Sequence, residues 1–319
     1  MKIVVTGAAG FIGSHLAETL ANQGHSVVGI DSFTDYYAAQ LKQANAEDVA
    51  AAGVTLHRLD LATDDLASAL DGAAFVFHLA GQPGISASTP LADYVRNNVV
   101  ATDKLLTACQ QQSSLRCFVN VSTSSVYGRH AYDPEDAAPK PTSYYGVSKL
   151  AAEQLALALY REKGFPATSL RIFSVYGPRE RPEKLYPKLI RSILTDTPFP
   201  LYEGSQAHSR SFTYVGDIIE GFVSVLDQPE KVLGEIINLG SDVEMTTGEG
   251  IALIEQIMGK KARLDVRPKR PGDQLHTCAN IGKAQELLNY APHTQLADGL
   301  QAEVEWYVNR IYANGLHNV

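Results

Sequence analysis

The sequence predicts an α/β fold, a doubly wound parallel sheet with a smaller mixed α/β lobe at its C-terminal side. Three observations carry this prediction. Short β-branched runs alternate with helical patterns through residues 1–173, a glycine-rich turn joins the first run to the first helical pattern, and the alternation becomes irregular beyond Phe173. Residues 174–319 are therefore assigned mainly to the second lobe, with about 211–240 returning to the first. The 319 residues give ample length for a core. A net charge of −8 argues against a nucleic-acid or membrane-surface protein and directs attention to small metabolites. Cys109, Cys117 and Cys278 form neither a metal-ligand spacing nor a disulfide framework, which fits a reducing cytoplasm. The chain enters an apolar strand at once, without a signal-peptide pattern, and no stretch is long enough to span a bilayer. The histidines do not cluster with carboxylates or cysteines, so no metal is expected.

In order along the chain, Lys2 to Thr6 reads as a strand, Gly7-Ala-Ala-Gly10-Phe-Ile-Gly13 as a turn, and Ser14 to Gln23 as an amphipathic helix. Gly7 permits a tight turn, Gly10 lets the backbone approach a pyrophosphate, and Gly13 lets helix and strand pack closely, with amides aimed at phosphates. The spacing, Gly-x-x-Gly-x-x-Gly, is a variant that differs from the usual Rossmann-type dinucleotide fingerprint. The second strand, Ser26 to Ile30, ends at Asp31, whose carboxylate can accept both hydroxyls of a ribose and would repel a 2′-phosphate. No Arg or Lys follows at Ser32 or Phe33, which favours NAD over NADP.

Further strands are predicted at Thr55 to Leu59, Phe75 to Leu79 and Cys117 to Ser122, separated by helical patterns around Asp64 to Leu70 and Leu91 to Gln112. Ligands of such sheets collect at the carboxyl ends of strands, where Asp60, Ala80-Gly81 and Thr123 fall. The strand Thr168 to Phe173 leads into Ser174-Val-Tyr-Gly-Pro-Arg179-Glu-Arg181-Pro, the expected start of the second lobe. That lobe includes Leu185 to Leu194, Thr197 to Leu201 and a final helix at about Leu296 to Ile311, while Asp217 to Leu226 and Glu235 to Asn238 are candidates to rejoin the sheet.

The candidate chemistry lies between Ser122 and Lys149. Ser-Thr-Ser-Ser-Val-Tyr-Gly is followed by a Pro-rich loop and by Tyr145-Gly-Val-Ser-Lys149. If Thr142 or Ser143 caps the next helix, Tyr145 and Lys149 stand four apart on one face. A cation so placed favours the phenolate, so a tyrosine that titrates near ~10 could serve as a base closer to neutral pH. Taken alone, a Tyr four before a Lys is also common on exposed helices.

These residues together resemble the extended short-chain dehydrogenase/reductase family, the nucleotide-sugar epimerases and dehydratases, across almost the whole chain. The shared residues are Thr6-Gly-Ala-Ala-Gly-Phe-Ile-Gly-Ser-His15, Asp31, Leu59-Asp60-Leu61, Val76-Phe-His-Leu-Ala80, Asn98, Ser122-Thr-Ser-Ser-Val-Tyr-Gly128, Tyr145-x-x-x-Lys149, Arg171-Ile-Phe-Ser-Val-Tyr-Gly-Pro178 and Arg210-x-Phe-Thr-Tyr-Val-x-Asp217. The resemblance implies NAD held by Gly7, Gly10, Phe11, Ile12, Gly13, Asp31, Asp60, Leu61, Leu79, Ala80, Asn98, Tyr145 and Lys149. It implies Tyr145 as the catalytic base, Thr123 orienting the same sugar hydroxyl, and Lys149 holding the nicotinamide ribose. A UDP-sugar substrate would meet Ser124, Ser125, Ser174, Arg181, Arg210, Arg270 and Asp273, and the protein would be a homodimer through helices near 91–112 and 144–164.

Within the family, sugar 4,6-dehydratases resemble Ser-Thr-Asp-Glu-Val-Tyr-Gly and UDP-glucuronate decarboxylases Ser-Thr-Ser-Glu-Val-Tyr-Gly. Ser124 and Ser125 offer no carboxyl here, which favours an epimerase. Asp35-Tyr36-Tyr37 with Leu41-Lys42, and Pro178-Arg-Glu-Arg181-Pro, are similar to UDP-glucuronate 4-epimerases. By the same resemblance Arg181 would restrain the C6 carboxylate; its competing role is a surface or interlobe salt bridge. UDP-glucose/UDP-galactose 4-epimerisation, UDP-glucuronate decarboxylation and non-catalytic dinucleotide sensing are the alternatives. The chain departs from the family pattern at Gly84-Ile85-Ser86, at Ser211 after Arg210, and at Glu203-Gly-Ser. Arg270 has basic neighbours, Arg267 and Lys269, that make a solvated run its competitor.

Overall fold

The computed structural model describes residues 1–86, 88–129, 131–268 and 276–318. Its centre is a seven-stranded sheet. Six strands are β1 (Lys2–Thr6), β2 (Ser26–Asp31), β3 (Thr55–Arg58), β4 (Phe75–His78), β5 (Cys117–Thr123) and β6 (Ala167–Ile172), and the seventh, β7, is Ile236–Leu239. Every pairing is parallel and the order is β7-β6-β5-β4-β1-β2-β3. The order reverses between β1 and β4, and that switch point opens a crevice at the carboxyl ends of the strands. β1, β4 and β5 are buried along nearly their whole length because both faces are covered. One apolar cluster joins Ile3, Val5, Leu16, Phe77 and Phe222, and a second, on the other face, joins Val4, Val76, Leu105, Phe118 and Ala156.

The helix Phe11–Asn22 follows β1 and Val215–Val223 packs beside it, while β7 pairs with β6. A third cluster, of Tyr176, Tyr186, Leu189, Ile251, Leu300 and Val304, lies apart from the sheet and gathers the helices Leu185–Leu194, Thr247–Met258 and Leu296–Trp306. Phe199–Tyr202 pairs with Leu264–Arg267 at its edge.

The helix expected from Asp64 shrinks to a single turn, Ala67–Leu70. Asp64 accepts the Asp60 N–H at 2.7 Å and Asp65 the Ala67 N–H at 3.0 Å, side-chain bonds that favour a turn over helix. The 91–109 helical run is continuous, but Val95–Val100 widens to a π-type turn. Among the described residues no helix is long and apolar enough to cross a membrane.

Candidate active site

A cleft of about 970 Å³ occupies the switch point and extends towards the third cluster. Its cofactor side is built by backbone. Gly7 adopts φ of 72°, a left-handed conformation that side chains disfavour, and a Cβ on Gly13 would stand 2.1 Å from the Gly7 carbonyl oxygen. Helix and turn can close only because both are glycine. No side chain caps the helix at Gly10, and Phe11, Ile12 and Gly13 line the cleft, so the amide end of the helix is directed to a ligand. At the end of β2, the buried Asp31 carboxylate accepts the Ala9 N–H at 3.0 Å and the Phe33 N–H at 2.8 Å. It is thereby fixed beside the turn with an acceptor facing the cleft. A cradle that a Cβ would fill, a helix amide end and a fixed acidic acceptor fit a dinucleotide without a 2′-phosphate.

Asp60, Leu61, Leu79 and Ala80 also line this side. Burial works against the Asp60 charge, but the Arg96 guanidinium at 2.6 Å and the Ala62 N–H hold its carboxyl below the usual range. Asn98 has a different job from the one expected. It does not line the cleft; its Oδ1 accepts the Gln82 N–H at 2.6 Å, and its Nδ2 reaches the Gln82 carbonyl and Ser148 Oγ. It clamps the loop after β4 to the Tyr144–Lys163 helix from inside the wide turn. His78, a residue the resemblance contained but gave no role, supports the same loop. The ring lies between Thr6 Oγ1 at 2.9 Å and Thr102 Oγ1 at 2.8 Å, and Thr6 Oγ1 accepts the Ala80 N–H. Burial, with the nearby Lys149 charge, pushes its pKa down to about 3, so the ring is neutral.

Ser143 caps the Tyr144–Lys163 helix, accepting the Gly146 N–H at 3.1 Å. Tyr145 and Lys149 both face the cleft, and the Tyr145 hydroxyl is hydrogen-bonded to Thr123 at the end of β5. The electrostatics differ from the expectation. Burial raises the Tyr145 pKa above its ordinary value, opposed first by the Thr123 hydrogen bond and then by the positive field of Arg181. The cation that supplies that field is Arg181, and Lys149 is itself perturbed. Burial lowers the pKa of Lys149 itself to about 8, with Glu153 one turn further along opposing the drop. Desolvation outweighs charge proximity at this depth in the chain alone.

Glu153 is wholly buried and takes Arg171 of β6 in two parallel bonds, Nε to Oε2 at 3.0 Å and Nη2 to Oε1 at 2.7 Å. Arg171 also lies 4.8 Å from the Tyr127 ring centre. This pair ties the catalytic helix to the sheet behind Lys149. Sequence reasoning passed over Glu153, although its i+4 spacing from Lys149 was visible.

On the other wall, Ser124, Ser125, Ser174, Arg181 and Arg210 come together in the same cleft. Arg181 reaches the cleft and also forms a salt bridge. Its guanidinium lines the cleft, stacks over Tyr36 at 5.5 Å and pairs with Glu183 at 2.9 Å. Glu180 and Lys184, neither singled out from sequence, line the cleft beside it. Arg270 and Asp273 lie outside the described residues. Away from the cleft, Asp217, Glu220 and His293 bring ligand-type atoms within 4.8 Å of one another, but both Asp217 oxygens already accept Thr294.

A doubly wound sheet with this glycine turn, Asp31 and a Tyr-x-x-x-Lys helix at one crevice defines a dinucleotide-dependent enzyme, and the chain belongs to the NAD dependent epimerase/dehydratase family, whose model matches residues 3–240. It is 40% identical over 317 residues to an uncharacterized UDP-glucose epimerase, YtcB, of Bacillus subtilis, covering 98% of this chain and 99% of that one. UDP-glucuronate 4-epimerase 3 of Arabidopsis thaliana is 33% identical over 98% of this chain and 77% of its own. Among solved structures, the UDP-glucuronic acid 4-epimerase of Bacillus cereus in complex with UDP-glucuronic acid and NAD superposes with a TM-score of 0.90, at 40% identity over 96% of this chain and 98% of that one. The family, the fold and the NAD-dependent epimerase class expected from the sequence are those found.

Proposed function

We propose that this protein interconverts UDP-glucuronate and UDP-galacturonate by NAD-dependent 4-epimerisation through a transient 4-keto sugar. NAD, when bound, supplies the acceptor and then the donor of the C4 hydride. The chain supplies the rest. Tyr145, joined to Thr123, takes the proton of the C4 hydroxyl and returns one to the same oxygen, while Thr123 orients that oxygen. Lys149 holds the nicotinamide ribose. Between the two proton transfers the keto sugar turns over to present its other face.

The observation that carries the substrate reading is the company Arg181 keeps. It faces the cleft with Ser124, Ser125 and Ser174, and positions 124 and 125 carry no acid. A 4-keto uronic acid is a β-keto acid and loses carbon dioxide unless its carboxylate is restrained. A guanidinium and small hydroxyls suit that restraint, holding the C5–C6 bond out of alignment with the carbonyl π system. Residues 1–173 then serve NAD, and 174–319 mainly serve the nucleotide sugar, with about 211–240 belonging to the first unit. Arg210, Arg270 and Asp273 are read as partners of the uridine diphosphate.

The protein is read as a cytoplasmic homodimer. The helical runs 91–109 and 144–163 lie side by side and leave Leu91, Val95, Val100, Tyr144 and Val147 exposed, and the three cysteines are unpaired. Sedimentation of the purified protein tests the dimer. The reaction is tested by NMR product analysis after incubation with UDP-glucuronate, first without added NAD. UDP-galacturonate is expected; UDP-xylose or a 4-keto pentose would make this a decarboxylase, and no conversion even with added NAD would move the substrate to another nucleotide sugar.

A further inference from the structure

The turn leading into the helix Leu185–Leu194 carries five charged residues, Arg179, Glu180, Arg181, Glu183 and Lys184. Four of them are matched. Arg179 bridges Glu18 at 2.9 Å and Asp48 at 3.1 Å, Arg181 pairs with Glu183, and Glu180 meets Glu303 of the helix Leu296–Trp306 carboxyl to carboxyl. Lys184 stands apart: among the described residues its ammonium has no hydrogen-bond or ion-pair partner.

Its place makes that absence costly. Lys184 lines the cleft, and burial, reinforced by the positive fields of Arg181 and Arg210 and opposed by Glu180 and Glu183, lowers its pKa. Glu180, four residues before it, is the natural counter-ion. That carboxyl is not free to serve, because two buried carboxyl groups in contact need a proton between them. Burial pushes Glu180 up to about 8 and Glu303 well above its ordinary range, so near neutral pH the pair brings little negative charge to Lys184. Lys184 is also the N-cap residue of a ten-residue helix that no side chain caps, so the helix amide end adds to the positive potential. A half-buried cation beside two others, with its neighbouring carboxyl drawn towards the protonated form, is only partly compensated, and an anion in the cleft would complete that compensation.

We propose that Lys184 is a further substrate-binding residue, a cation beside Arg181 and Arg210 in the cleft that takes an anionic oxygen of the nucleotide sugar, on the diphosphate or on the C6 carboxylate. This rests on the nucleotide-sugar reading above. The test is calorimetric titration of the NAD-loaded enzyme with UDP, UDP-glucose and UDP-glucuronate, comparing the unaltered protein with Lys184→Met, Lys184→Gln and Lys184→Arg. Loss of one charge-assisted contact weakens binding roughly tenfold to a hundredfold in the Met and Gln variants, with Arg recovering most of it. Equal loss on all three ligands assigns Lys184 to the diphosphate, and loss confined to UDP-glucuronate assigns it to the carboxylate. Removing one of three neighbouring cations also raises the melting temperature of the sugar-free protein, which a structural salt-bridge role would lower. Dissociation constants within twofold of the unaltered protein in both the Met and Gln variants overturn the inference alone. If the unaltered enzyme binds none of the three ligands, the nucleotide-sugar reading falls and takes this inference with it.

Discussion

Replacing Arg171 by Met tests how the catalytic helix is held. Arg171 and Glu153 are 1% and 0% exposed and meet through two hydrogen bonds of 3.0 and 2.7 Å. Without the guanidinium, the Glu153 carboxylate keeps Ser169 Oγ at 3.3 Å and Gln154 Nε2 at 3.5 Å, with Lys149 a turn away as a nearby cation, and is left as a buried charge without its direct ion-pair partner. Breaking such a pair costs about 3–5 kcal/mol, a large share of the roughly 5–15 kcal/mol that holds a protein folded. Replacing both ends by apolar residues, Arg171→Met with Glu153→Leu, removes the charge along with its partner. The double variant should return to within about 2 kcal/mol of the parent. The assay is urea denaturation at fixed NAD concentration, with the coupling read from the four members of the cycle. An Arg171→Met cost below about 1 kcal/mol, or a double variant whose cost is the plain sum of the singles, would refute the claim that this pair anchors the helix.

Tyr145→Phe should keep the fold and the bound NAD while lowering turnover by roughly 10²- to 10⁴-fold, the usual span for loss of a general acid–base group; near-normal turnover would remove Tyr145 from the reaction. Arg181→Ala should weaken UDP-glucuronate by roughly tenfold to a hundredfold, as expected for a charge-assisted contact, and UDP-glucose far less; equal losses on both sugars in steady-state kinetics would sink the carboxylate role. The Glu180–Glu303 pair predicts a pH effect on stability. Glu180 is raised from 4.5 to about 8, so between those values the folded chain holds a proton that the unfolded chain has released. The contribution is present in full below the lower value and is lost by about 1.4 kcal/mol per pH unit as pH rises towards the upper one. Glu180→Gln should flatten that part of the stability-against-pH curve, and denaturation curves that keep the same slope in the variant would show the pair does not carry it.

The local order of the chain determined most of the architecture. β-branched runs spaced by helical patterns have few ways to bury both faces except in a parallel sheet, and Gly7, Gly10, Gly13 and Asp31 sit where a strand hands over to a helix or ends. Tyr145 and Lys149 were legible for the same reason, since a Ser143 cap and a four-residue spacing place both on one helical face. What only the tertiary structure decided depends on groups far apart in sequence. Burial, not the neighbouring lysine, governs the Tyr145 pKa, because desolvation is set by everything packed around a group. Asn98 serves the loop at Gln82 because a wide helical turn aims it there. Glu303 meets Glu180 across 123 residues, and that contact leaves Lys184 without the counter-ion its own segment provides. Spacing along a chain reports which side chains share a face; which charges are neutralised, and which are left for a ligand, is settled only when distant elements are brought into one low-dielectric space.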